Sequence, residues 1–99
     1  FMYNKIMSSK IEIYTSESCF YCIAAKRLLN EKKLKFSEFD ITNNKDQRNI
    51  MVERSNGRRT VPQIFISNIH IGGCDELYAL ENLGRLDEIT SEIFNDRIK

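Results

Sequence analysis

Cys19 and Cys22 stand close together in the run SESCFYCIAAKRLL, where an extended stretch gives way to a helical one. A C-x-x-C pair has three readings: a redox couple, half of a metal site, or two buried thiols. Its placement favours redox chemistry. A cysteine at a helix N-terminus meets backbone N–H groups without intrahelical partners and the positive end of the helix dipole. Both favour a thiolate, which lowers the thiol pKa and creates a nucleophile. The second cysteine, one turn further in, lies nearer the core, stays protonated longer, and can resolve a mixed disulfide.

Two later segments carry further chemistry. Thr60-Val61-Pro62 holds the sole proline of the chain. A proline can simply open a strand, where its missing N–H costs nothing. It can also form a cis Val61–Pro62 bond, the one peptide type for which that isomer is cheap, and turn the Val61 backbone toward the cysteines. A cysteinyl peptide could then pair with that backbone like an added strand. Gly72-Gly73-Cys74-Asp75 precedes a helical pattern. The glycines allow a tight turn, and the N–H groups at the new helix start can hold a carboxylate. The plainer reading is a hairpin exit with an acid in the first helical turn. His70, Cys74, Cys19 and Cys22 make up a Cys3His set, but their spacing fits no standard zinc ribbon.

The elements that must position these residues are legible from periodicity. KIEIYT alternates, with Ile11, Ile13 and Thr15 on one face and Glu12 and Tyr14 on the other. From Cys19 to about Lys33 the pattern is helical: Cys22, Ala25 and Leu29 form one stripe, with Lys26, Arg27, Asn30 and Glu31 facing outward. LKFSEFDI is a second strand whose apolar parity slips between Phe36 and Phe39, which implies a bend or burial on both faces. A polar helix over about Lys45–Ser55, anchored by Ile50 and Met51, stops at Asn56-Gly57. VPQIFI and IHIGG flank a Ser67-Asn68 turn and form a hairpin. CDELYALENLG is a helix, and Leu86, Ile89, Ile93 and Arg97 mark a last one. The first strand, helix and second strand form a βαβ unit, so those strands should be parallel. An α/β fold with a mixed four-stranded sheet flanked by helices follows.

The 99 residues suggest one domain with a core of its own. With 41% hydrophobic and 29% charged residues and a net charge of +1, the composition is that of an ordinary globular chain. Near-neutral charge offers no bulk attraction to nucleic acid or membranes. Residues 1–9 are expected to be an N-terminal extension, with Phe1 a cloning remnant and the natural start at Met2 or Met7, and residues 10–99 the domain. That opening run lacks the apolar segment of a signal peptide, and three cysteines are too few for a disulfide scaffold. A cytoplasmic protein is expected.

YTSESCFYC, TVPQIFI and HIGGCDELYAL, in this order and spacing, resemble the glutaredoxins, especially the bacterial dithiol class. The resemblance spans roughly Lys10 to Leu86. It implies a thioredoxin fold with strand order 2-1-3-4, and a monomer that reduces protein disulfides and glutathione mixed disulfides with glutathione as cosubstrate. Cys19 would be the nucleophile and Cys22 the resolving thiol. Tyr21 would border the glutathione site. Thr60, Val61 and Pro62 would bind the cysteinyl backbone, and Cys74 and Asp75 the γ-glutamyl end. Partners would be glutathione and disulfide-containing or glutathionylated proteins, with ribonucleotide reductase a family-level candidate.

Two positions depart from the family pattern. Phe20 replaces the usual proline, and Ser16 replaces a lysine that neutralises the glycine carboxylate of glutathione. Glu17 has the wrong sign for that task. Among Lys45, Arg48, Arg58 and Arg59, the expected substitute is Arg59, which directly precedes Thr60. Glutaredoxins without the proline also resemble iron–sulfur scaffolds, in which two Cys19-type thiolates and two glutathiones hold a 2Fe–2S cluster between monomers. That is the alternative function the resemblance implies.

Overall fold

Strand β1 (Ile11–Thr15) occupies the middle of the sheet, and its neighbours explain its sequence. The structure is a computed structural model that describes residues 10–98. The expected extension at residues 1–9 lies outside the described residues, as do the side chains of Ile93 and Arg97. After β1 come α1 (Phe20–Glu31), β2 (Ser37–Asp40), α2 (Lys45–Arg54), β3 (Gln63–Ile66), β4 (Ile69–Gly72), α3 (Cys74–Asn82) and α4 (Arg85–Ile98).

The sheet order is β2-β1-β3-β4. Strand β1 pairs with β2 in parallel, with Tyr14 opposite Phe39, and with β3 antiparallel, with Ile13 opposite Ile64. The β3–β4 hairpin turns at Ser67 and Asn68, whose φ values of 52° and 67° fit a two-residue turn with both central residues left-handed. The architecture is the mixed four-stranded sheet expected from the pattern.

Period-two alternation divides the buried side chains between two faces. Ile11, Ile13, Ile64 and Ile66 pack with Ala25, Leu28 and Leu29 of α1, Leu77 of α3 and Leu86 of α4. Tyr14 and Phe65 point the other way and pack with Ile41 and Met51 of α2. Arg54 closes this second face: its guanidinium lies 4.0 Å from the Phe65 ring centroid and bonds Glu12 at 2.7 Å and the Tyr14 hydroxyl at 2.8 Å. Strand β2 is shorter than its apolar run. Leu34 and Ile41 are buried but flank the strand rather than extend it.

Candidate active site

Helix α1 is positioned so that its N-terminus carries the cysteines. Buried Cys22, Ala25, Leu28 and Leu29 hold it to the sheet, and the Tyr78 hydroxyl of α3 bonds the Ala24 carbonyl at 3.3 Å. The loop entering α1 is tied to the end of β2. The Glu17 N–H donates to Thr42 Oγ1 at 2.8 Å, and that hydroxyl donates to Asp40 at 2.6 Å. Hydrogen bonds from the Thr42 hydroxyl and N–H hold the Asp40 carboxyl below its usual range. Ser18, with φ of 57°, then turns the chain into the helix.

Cys19 is the N-cap residue of α1, and its sulfur accepts a hydrogen bond from the Cys22 N–H at 3.0 Å. That bond is stronger to a thiolate than to a thiol, and no acidic residue lies in the first turn to oppose the dipole. Cys19 and Cys22 are joined as a disulfide, with Cα atoms 5.2 Å apart. Cys22 is 1% exposed, whereas Cys19 is half-buried. The outer sulfur can therefore be attacked and the inner one cannot be approached directly. Phe20 and Tyr21 are 84% and 66% exposed and flank Cys19 on the solvent side.

The second wall is the β3 entry. Val61–Pro62 is cis, and the Val61 carbonyl oxygen lies 3.8 Å from Cys19 Sγ. The third wall is the start of α3. Gly72 has φ of 123°, and a Cβ there would come within 2.7 Å of the Glu76 carboxylate; a Cβ on Gly73 would lie 3.2 Å from the Pro62 carbonyl. Gly73 thus lets α3 start hard against the Pro62 backbone, and Gly72 leaves room for the Glu76 side chain. The Glu76 carboxylate accepts from the Gly73 N–H at 2.6 Å, as in a capping box. That bond, against a smaller opposing effect of burial, lowers the Glu76 pKa.

These walls enclose a cavity of about 330 Å3 lined by Tyr21, Thr60, Val61, Pro62, Cys74 and Asp75, together with Arg58, Gly73 and Glu76. Six of the residues singled out from sequence for ligand binding therefore meet at one place. Arg59 is not among the lining residues. It is exposed and its carbonyl accepts from Arg48 at 3.5 Å. The arginine at the cavity is Arg58, 3.9 Å from the Glu76 carboxylate. Periodicity cannot choose between neighbours in a loop, so the sequence held no signal for Arg58 over Arg59. Glu76 did carry a signal, as an acid three residues past a helix cap.

Cys74 is 8% exposed and is not paired. Burial pushes its thiol pKa up, and the nearby Asp75 and Glu76 charges push it further. It packs as a small core residue and is a far weaker nucleophile than a thiol at a helix N-cap. Among the described residues no three His, Cys, Asp or Glu side chains gather to hold a metal ion.

Fold and site together define a thioredoxin-fold thiol–disulfide oxidoreductase with a vicinal dithiol. The family model described as Glutaredoxin matches residues 11–71. Over 81 residues the chain is 53% identical to glutaredoxin 3 of Escherichia coli strain K12, covering 82% of this chain and 96% of that protein. It is 48% identical over 87 residues to glutaredoxin 1 of Rickettsia felis, covering 87% and 85%. The solution structure of glutaredoxin from Brucella melitensis superposes with a TM-score of 0.71 at 48% identity, covering 83% and 88%. A buckwheat glutaredoxin–glutathione complex gives 0.76 at 26% identity, covering 84% and 77%. The chain belongs to the glutaredoxin family.

Proposed function

We propose that the protein is a glutathione-dependent oxidoreductase that reduces glutathione mixed disulfides and protein disulfides as a monomer in the cytoplasm. The observation that carries this reading is the cavity beside Cys19. One wall offers the Val61 backbone and another the N-terminus of α3, so one cavity presents both a strand-like backbone and an anion-binding helix start to a short anionic peptide. The buckwheat relative was solved with glutathione.

In this reading the cysteinyl part of glutathione lies along Val61 as an added strand, and its γ-glutamyl carboxylate meets the N–H groups of Cys74 and Asp75. Tyr21 covers the tripeptide from the solvent side. Cys19 thiolate attacks the glutathione sulfur of a mixed disulfide, and the protein thiolate leaves and takes a proton from solvent. A second glutathione thiolate attacks the new Cys19–glutathione disulfide, releases oxidised glutathione and restores the Cys19 thiolate. With an intramolecular protein disulfide, Cys19 forms the mixed disulfide and Cys22 displaces the reduced substrate. The resulting Cys19–Cys22 disulfide is reopened by two glutathiones. A ribonucleotide reductase disulfide is one candidate substrate of this kind.

The experiment is a coupled assay with glutathione, glutathione reductase, NADPH and a glutathionylated peptide. Turnover that saturates in the glutathionylated substrate, and is lost in Cys19→Ser, is the expected result. Turnover supported by dithiothreitol but not by glutathione would refute the reading.

A further inference from the structure

Gln63 and His70 are polar side chains that the chemistry above does not use; Gln63 is buried and His70 half-buried. Gln63 is 0% exposed, the first residue of a strand whose every residue is buried. Its Nε2 donates to the Thr60 carbonyl at 3.0 Å and approaches the Thr60 hydroxyl at 3.2 Å. Its Oε1 lies 2.6 Å from His70 Nε2. These contacts determine the orientation of the Gln63 amide and the role of His70 Nε2. A carbonyl oxygen can only accept, so the amide nitrogen of Gln63 must face Thr60. The amide oxygen then faces His70, and His70 Nε2 must carry a hydrogen and donate it.

The His70 ring is itself held in place. It is the cross-strand partner of Phe65 and stacks on that ring at 5.0 Å between centroids. Burial depresses its pKa, and the Arg58 and Arg54 charges depress it further, against the attraction of Glu76. These effects favour the neutral ring, and the neutral tautomer that meets Gln63 Oε1 is the one with a hydrogen on Nε2. Without a donor at this point, the Gln63 amide would leave a buried oxygen unsatisfied unless it flips. A flip breaks the bond to the Thr60 carbonyl.

Thr60 is exposed and lines the cavity one residue before Val61, whose carbonyl faces Cys19. We propose that His70 and Gln63 are positioning residues: a hydrogen-bond relay from β4 through β3 that sets the Thr60–Val61 backbone for the cysteinyl part of glutathione. The relay deepens the proposed function and rests on it. It also explains a buried glutamine inside a strand that is otherwise apolar, QIFI.

The test compares His70→Leu, His70→Gln and Gln63→Leu in two reactions. One is glutathione-driven deglutathionylation of a peptide. The other is reduction of the Cys19–Cys22 disulfide by dithiothreitol, which needs no peptide-binding wall. A glutamine at position 70 can place an amide nitrogen near the position of His70 Nε2, whereas leucine cannot donate. The expected result is a KM for glutathionylated peptide raised about 3- to 10-fold in His70→Leu and Gln63→Leu, as for the loss of one hydrogen bond. His70→Gln should recover to within about twofold of the wild type, and dithiothreitol rates should change less than about twofold in all three. Thermal midpoints measured alongside identify a variant that has merely lost stability. Unchanged KM in a folded His70→Leu, equal loss in both reactions, or no recovery in His70→Gln would each overturn the relay. Failure of the wild type to saturate with the glutathionylated peptide would instead overturn the reading beneath it.

Discussion

Replacing Gly72 with alanine tests how the third wall of the cavity is built. Two costs can be read from the geometry. First, Gly72 has φ of 123°, a region L residues occupy at roughly 1–3 kcal/mol. Second, the added Cβ would lie 2.7 Å from Glu76 Oε1 and 2.8 Å from its Cγ, so the Glu76 side chain must leave. Its departure breaks the bond to the Gly73 N–H, a cap contact worth about 1 kcal/mol. The sum is about 2–4 kcal/mol. For a 99-residue domain this lowers Tm by roughly 10–20 °C. Glu76→Ala alone should cost only the cap, about 1 kcal/mol. In the double variant the clash has no partner and the cap is already absent, so the double should be about as stable as Gly72→Ala. The coupling energy is then about 1 kcal/mol. Urea or thermal unfolding of the four proteins supplies the cycle. A Gly72→Ala protein within about 0.5 kcal/mol of wild type, or full additivity with Glu76→Ala, would refute this account of the turn.

Cys22→Ser should keep deglutathionylation in the coupled assay while losing reduction of protein disulfides, because only the second reaction needs a resolving thiol. Arg58→Ala should raise the KM for glutathionylated peptide by about 3- to 10-fold, the range of one net hydrogen bond from a half-exposed, solvent-screened side chain. Arg59→Ala should change it by less than about twofold, and steady-state kinetics of the pair would reveal a reversed order. The lowered Glu76 pKa means that its cap stabilises the fold fully above its ordinary value of 4.5 and is lost as pH falls through the lower folded value. The Glu76 contribution should therefore be level from pH 7 to about 5 and decline below, so the wild type and Glu76→Gln should differ by a constant amount down to about pH 5 and converge below it in acid unfolding curves.

Most of the architecture was legible because burial writes a period into the sequence. Alternation in KIEIYT, the largely apolar run of VPQIFI and the Cys22–Ala25–Leu29 stripe follow from faces that meet a core. The parallel pairing of β1 with β2 followed from the handedness of βαβ connections. Tyr14 shares the face of Glu12 by alternation, and as a large aromatic it is core, at 2% exposed. It does face away from Ile13, and α2 then covers that second face, a contact made by residues far away in the chain. Likewise Leu34 and Ile41 read as part of a strand because they are apolar, although they pack just beyond its ends.

The site divides along the same line. Cys19, Cys22, Thr60-Val61-Pro62 and Gly72-Gly73 are local devices: a helix start, a proline, two glycines. Their chemistry is carried by residue type and immediate neighbours, so the sequence alone determined them and the redox class they serve. Which cation faces the cavity, whether Cys74 is a nucleophile or a packed thiol, and what Gln63 and His70 hold are questions of distance between elements. Arg58 is selected over Arg59 by how one loop turns. The Cys74 thiol is disfavoured as a thiolate by its burial at the start of α3 and by two carboxylates beside it. The link from His70 to Thr60 exists because β4 folds back on β3. Only the tertiary structure could decide these, since hydrogen bonds and Coulomb forces act through space and carry no period along the chain.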